Sequence, residues 1–442
     1  MKFPMTRRTF LTRSSQALVG AGLTGTLLEA CGGSGSSGSS SSSGPVTLTY
    51  GWWSNGPTKD NAMLAWVKQF ESSHPNIKIK AEILPWANYW SKLQTTVAGG
   101  NAYDIVGMAG GNAAPYYDQG ALYDLSTLPG YQDVAKNLNA EAVKLGNWKG
   151  KQYTLPVGVY VPLIGYNKTM LKAAGIPFPD PVKAMEFSDF KTMAAKLVKQ
   201  SGGKYTQYAI NINDLDPLWT ALVQLEGGQV YDTPVNPTKM TLNNPAGIKG
   251  LADWQSLYTE HLNPPIAEQV SGPWGAGDID SLLTGKVAFA RIGAFDFAQI
   301  QQQNLVDQIG AMPIFGMNGK QVTLGNANSF GIYKGSKNPD QAWEFIKWVT
   351  STEPDKTFAK ISDVPSNNVA FEQMASYITP QVYVQTLTSA NKGWGPIVMT
   401  PNPQFGTDIG NILTDLANGK LTPEKAAQQL EQKGNADLAA SS

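Results

Sequence analysis

Arginine is nearly missing from this chain: after residue 13 it occurs once, at Arg291. Sites for phosphate or carboxylate groups favour the planar guanidinium fork, so the chain is poorly supplied for anionic ligands. It has one cysteine, Cys31, which excludes an internal disulfide. Its two histidines, His74 in a helix-to-strand turn and His261 at a helix end, lack the company that a metal or catalytic site needs. Neither Gly-Lys-Ser nor Gly-Lys-Thr occurs, so the phosphate-cradling loop of an ATPase is missing. No apolar run approaches the length of a transmembrane helix, and no internal repeat is visible. These gaps lead us to expect no metal, no cofactor and no nucleic-acid partner.

What is present begins with an export-like segment. Thr6-Arg7-Arg8-Thr9-Phe10-Leu11 reads as a twin-arginine signal and is followed by a mildly apolar run, Ala17 to Leu28. Leu28-Glu29-Ala30-Cys31 resembles a lipobox, which implies that Cys31 is the lipidated first residue of the mature chain. Residues 1–30 are therefore expected to be a signal peptide and 31–44 a tether. Gly32–Gly44 is almost entirely Gly and Ser, with a reach of roughly 20 Å. Such a protein is held at the extracytoplasmic face of a bacterial membrane by its lipid and works in water. Without Lys2, Arg7, Arg8, Arg13 and Glu29, 30 basic residues face 33 acidic ones, a net charge of −3. That balance disfavours nucleic acid and anionic lipid as main partners.

About 400 residues remain, too many for one core and enough for two lobes. Val46–Trp53 alternates as a strand and ends in the polar loop Ser54-Asn55-Gly56-Pro57. Met63, Trp66, Val67 and Phe70 then lie on one helical face. Ile77, Ile79, Ala81 and Ile83 mark a second strand, Tyr89, Leu93 and Val97 a second helix, and Tyr103–Met108 a buried strand. Strand, helix, strand, helix, strand is the order of a parallel α/β sheet. Ligands of such sheets sit beyond the carboxyl ends of the strands, here Trp52, Trp53 and Asn55, and Gly111 and Asn112. The segment Leu155–Lys168, LPVGVYVPLIGYNK, suits a strand passing from one lobe to another. Pro156 and Pro162 limit its pairing, and Tyr160 stands between them.

The chain holds 12 tryptophans and 17 tyrosines. Several of its aromatics fall at strand ends and loops: Trp52, Trp53, Trp86, Tyr89, Tyr160, Trp219, Trp274, Phe295 and Trp394. Sugar rings pack their C–H faces on such side chains, while Asn, Asp and backbone N–H groups bond the hydroxyls. Asp216, Asn326 and Asn328 are the polar candidates. Trp66, Trp254 and Trp343 lie on helical stripes and read as core. Asp104, Asp214, Asp216, Glu226 and Asp296 leave open a second class, a secreted carbohydrate-active hydrolase working through a carboxylate pair.

The order VTLTYGWW, HPNIKIKAEI and KLQTTVAGGNAYDIV, then YNK with AGIP, LLTGKVAFARIGAF and AWEFIKWVTS, resembles the bacterial extracellular solute-binding proteins of the sugar, maltose-binding-like type. The likeness covers nearly all of residues 45–433. It implies an α/β fold of periplasmic-binding-protein type, with two lobes, hinge crossings and a central ligand cleft. The lobes implied are 45–157 plus 312–350 and 158–311 plus 351–442. By the same match Gly293 lets backbone approach the ligand and Phe295 is a stacking aromatic. The function implied is capture of a neutral sugar or oligosaccharide by a monomeric, non-enzymatic receptor. The receptor would deliver it to the permease of an ABC importer whose ATPase is a separate chain.

Overall fold

The alternation of VTLTYGWW does form a strand. The computed structural model describes residues 44–440, apart from 55, 213–214, 272–273, 275–277, 361, 377, 379–382, 387, 389–393 and 397–402. In it β1 (Val46–Ser54) pairs in parallel with β2 (Ile77–Pro85) on one side and β3 (Ile105–Ala109) on the other. Helix α1 (Pro57–Ser73) leads from β1 to β2, and α2 (Trp86–Ala98) from β2 towards β3. Pro57 suits the first turn of α1, where a backbone N–H would have no helical acceptor. Met63, Trp66, Val67 and Phe70 are all buried, as their spacing demands. Each such side chain contributes about 1.5–3 kcal/mol by leaving water. Every residue of β3 is buried, and it runs straight into α3 (Gly110–Asp118).

A second sheet has the spatial order Ile309–Met312, Leu163–Asn167, Val287–Ile292, Lys204–Asn211, Lys199–Ser201. The helices Leu215–Leu225 and Pro245–Thr259 pack on each other beside it. Asn244 starts the latter by accepting hydrogen bonds from the amides of Ala246 and Gly247, both at 3.0 Å.

The segment 155–168 joins the two sheets. Strand Thr154–Tyr160 pairs antiparallel with the long strand Thr323–Ile332 of the first sheet. After Val161 and Pro162 the chain resumes as Leu163–Asn167, between two strands of the second sheet. Pro156 falls where the ladder shifts register, opposite the step from Asn328 to Ser329, and Pro162 falls in the break itself. Both prolines thus lie where a missing N–H costs no ladder bond. A second passage leads from Ile309–Met312 to Thr323–Ile332. On the third, the amides and carbonyls of Val159 and Val364 bond each other at 2.7 and 3.0 Å.

Helix Pro339–Val349 packs on the first sheet, with the ring of Phe345 5.8 Å from Tyr50. Thr352–Ala359 stays beside it, because Trp66 Nε1 donates to the Pro354 carbonyl at 3.0 Å and Phe358 packs 4.6 Å from the Trp66 ring. Each sheet has its own apolar core. A third cluster, with Val159, Val161, Leu163, Ile292, Ala327 and Val364, surrounds the passages between them.

Candidate functional site

Tyr160 ends the crossing strand, opposite Asn326 in the ladder. Its ring lies 5.9 Å from that of Phe295, with planes 28° apart. Phe295 follows the strand Val287–Ile292, with Gly293 and Ala294 between them. A Cβ on Gly293 would stand 2.6 Å from Phe295 Cε1 and 2.9 Å from Tyr160 Cε2. The glycine is therefore required by two rings of the protein itself, where the sequence resemblance assigned its space to a ligand. Asp296 stiffens this turn by accepting the Gly293 amide at 2.8 Å. Arg291, on the same strand, donates from its guanidinium to the Tyr160 hydroxyl, and its Cζ lies 5.9 Å from the tyrosine ring. Tyr160, Gly293, Phe295, Arg291 and Asn326 thus meet at the exchange between the sheets.

Asn326 carries a buried Oδ1 with no hydrogen-bond partner. That oxygen occupies the space a side chain on Gly110 would need, at the start of α3. Gly111 and Asn112, next on the helix, are exposed. Asn328 is turned inward instead, its Nδ2 donating to Asp363 Oδ2 at 2.5 Å. It is a structural tie between passages, which corrects its expected place on the ligand.

An aromatic ladder rises from the end of β1. Trp52 is wholly buried, stacked on Trp53 at 4.1 Å and 14° and tilted against Phe330 at 4.6 Å. The missing Cβ of Gly107 leaves room for its ring. With those neighbours on it Trp52 is core, and the expectation of a ligand face there is corrected. Tyr89 is corrected likewise: it is fully buried and its hydroxyl donates to the Gly107 carbonyl at 2.7 Å. Trp53 is buried too, 2 % exposed, which corrects its expected ligand face, and it passes the ladder on to Trp90 at 5.8 Å and Trp86 at 5.2 Å. Trp86, 45 % exposed, is its open rung. Trp90 was not among the expected residues, although its place one turn after Trp86 on α2 puts both on one helical face.

Trp219 lies 2 % exposed in the second core, its indole N–H unpartnered, so it is a packing residue rather than an open wall. Trp274 is also buried, edge-on to Tyr208 at 5.0 Å. Asn55 and the side chains of Asp216 and Trp394 lie outside the described residues.

Asp214 lies outside the described residues, and the other charged candidates described are committed elsewhere. Asp104 accepts from the Thr49 amide, the Thr49 hydroxyl and the Ser336 hydroxyl, all within 2.8 Å. Glu226 sits with Lys249 and Asp253, where burial and the Asp253 carboxylate raise its pKa. Asp296 holds the Gly293 turn. The ring of His74 stacks on Phe70 at 4.1 Å, and His261 takes a left-handed backbone beside Tyr205. Among the described residues no three His, Cys, Asp or Glu side chains form a group that could hold a metal ion.

The model of the bacterial extracellular solute-binding protein family matches residues 65–386, well over half the chain. The chain belongs to that family. Among its relatives within the family are the diacetylchitobiose binding protein DasA of Streptomyces coelicolor and the galactooligosaccharide-binding protein of Bacillus subtilis. DasA is 25% identical over 89% of this chain and 90% of its own, the Bacillus protein 24% identical over 93% and 94%. The multiple sugar-binding protein of Streptococcus mutans is 30% identical over 79% of this chain and 80% of its own. A solved ABC substrate-binding protein of Listeria monocytogenes, in complex with cycloalternan, superposes with a TM-score of 0.76 at 21% identity, over 89% of this chain and all but 1% of that one. The family's two-lobed α/β architecture is therefore the fold of this solute-binding protein.

Proposed function

We propose that this solute-binding protein captures a neutral mono- or oligosaccharide between its lobes and hands it to the permease of an ABC importer. The observation that carries this is the meeting of Tyr160, Phe295 and Arg291 at the point where the chain exchanges sheets. Stacked rings with a flanking hydrogen-bond donor suit a sugar's C–H faces and hydroxyls. Trp86 supplies a second aromatic surface, backed by the buried Trp53. The names of the relatives favour oligosaccharides, and a single arginine argues for a neutral ligand. We take the lobes as 45–157 with 312–350 and 158–311 with 351–442, and two observations favour shifting an edge of each. Strand pairing changes from one sheet to the other around Val161–Pro162, and Thr352–Ala359 packs on Trp66 of the first sheet's helix.

The remaining parts of the reading are lipid attachment at Cys31, twin-arginine export, action as a monomer at the extracytoplasmic face, and an ATPase on another chain. Binding, not turnover, is the activity. Asp104, Glu226 and Asp296, three of the five carboxylates considered for hydrolysis, are spent on structural bonds or charged neighbours.

Titration calorimetry with diacetylchitobiose, galactooligosaccharides and mannotriose tests the proposal, with product analysis of the same mixtures. Saturable binding of at least one sugar without product supports it. Multiple-turnover hydrolysis, or indifference to a broad neutral panel, overturns it.

A further inference from the structure

All three passages between the sheets touch one buried carboxylate. Asp363 lies on the third passage, 1 % exposed, one residue before Val364 bonds Val159 on the first. From the second passage Asn328 Nδ2 donates to Asp363 Oδ2 at 2.5 Å, and the Ser362 hydroxyl reaches the same oxygen at 3.3 Å. On the first, Gly158 faces Asp363 so closely that an added Cβ would stand 2.9 Å from Asp363 Cβ and 3.3 Å from Oδ2.

On α1 Lys59 is also buried, 3 % exposed, and it shares the Phe358 ring with Gly158, whose added Cβ would stand 3.2 Å from Phe358 Cε1. The Lys59 ammonium lies 5.3 Å from the Phe358 ring and 6.0 Å from Trp53. Burial pulls its pKa down, while the carboxylates of Asp363 and Asp60 oppose that shift. Apolar contacts tolerate sliding. A buried charge does not, because separation from its partner leaves it uncompensated.

We propose that Asp363, held between Asn328, Ser362 and Gly158, is the pivot that sets the resting angle of the two lobes before ligand arrives. The pivot rests on the receptor reading, in which the lobes close by hinge motion. Its residues bear on affinity through the open–closed balance and need touch no sugar.

The test uses the full chain free of sugar. Small-angle scattering gives its radius of gyration, and hydrogen exchange reports the Val159 and Val364 amides. Asp363→Asn keeps the shape and an acceptor for Asn328 but removes the charge. Gly158→Ala presses on Asp363 from the first passage. Both variants are expected to change the radius and to speed exchange at Val159 and Val364 by about tenfold or more, with β1 and β3 unchanged. An unaltered radius and exchange in folded Asp363→Asn overturns the pivot. So does acceleration spread evenly over the first sheet, which marks mere destabilisation. Neither readout involves a sugar, so failure here leaves the calorimetric test of the function intact.

Discussion

The only arginine after residue 13, Arg291, donates to the hydroxyl of Tyr160, which ends the strand leading from one sheet to the other. A chain that spends its one guanidinium beyond residue 13 there gives the exchange point both a charge and a defined ring orientation. Tyr160→Phe keeps the ring and removes the acceptor. We expect sugar affinity to fall because the guanidinium loses the partner that fixes it, while loss of the bond itself, worth about 1.5–3 kcal/mol, lowers folding stability. Calorimetry on the variant checks this, and unchanged affinity would mean that the bond only braces the strand.

Phe295, half-buried and stacked on Tyr160, separates site from core by which quantity moves. Phe295→Ala is expected to cost about 1–3 kcal/mol of binding, roughly ten- to a hundredfold, with little change in melting temperature. Normal affinity with a collapsed melting temperature would make it a packing residue.

Trp52 and Trp86 lie on one ladder with opposite exposures. Trp52→Ala should cost about 3–5 kcal/mol of folding stability by denaturant titration. Trp86→Ala should leave stability nearly intact and weaken oligosaccharides more than monosaccharides. Equal losses for both sugar classes would remove Trp86 from an extended site.

Asp355 carries the pH prediction. It is completely buried, and burial pushes its pKa well above the usual carboxylate range, although the Asn367 amide at 2.6 Å and the Ser366 hydroxyl pull the other way. A group that binds its proton more tightly folded than unfolded favours the fold at low pH, and that advantage fades as pH rises towards its raised pKa. Asp355→Asn keeps the acceptor for Asn367 and never ionises. The stability of the variant relative to the natural protein should therefore increase from pH 5 to pH 8 in melting curves. A difference that stays flat, or shrinks, contradicts the assignment.

Cys31→Ser should give a folded, sugar-competent protein released from membranes. A variant that fractionates with membranes as before removes the lipid anchor from the proposal.

The path of the chain was readable because its signals are local. Alternation in VTLTYGWW, the helical stripe from Met63 to Phe70 and the two prolines of 155–168 act within a few residues. The residues of the site were less readable. Trp52 and Trp53 are neighbours at one strand end, yet only three-dimensional packing puts Phe330 and the bare face of Gly107 against Trp52. Asn328 has the chemistry of a sugar ligand, and its partner Asp363 lies 35 residues away. Lys59 on α1 and Arg291 carry no pattern that marks them, since their partners come from other passages. Trp90 alone had a sequence signal, its one-turn spacing from Trp86.

The stacked pair Trp52–Trp53 has an optical consequence. Two indoles 4.1 Å apart and only 14° from parallel share their electronic excitation. The first lobe thus carries its own chromophore, a coupled circular-dichroism band that persists while β1 is intact. Trp86, open to solvent and 5.2 Å from Trp53, couples the wet face of the ladder to that pair. The integrity of β1 can then be followed through that band, without any label.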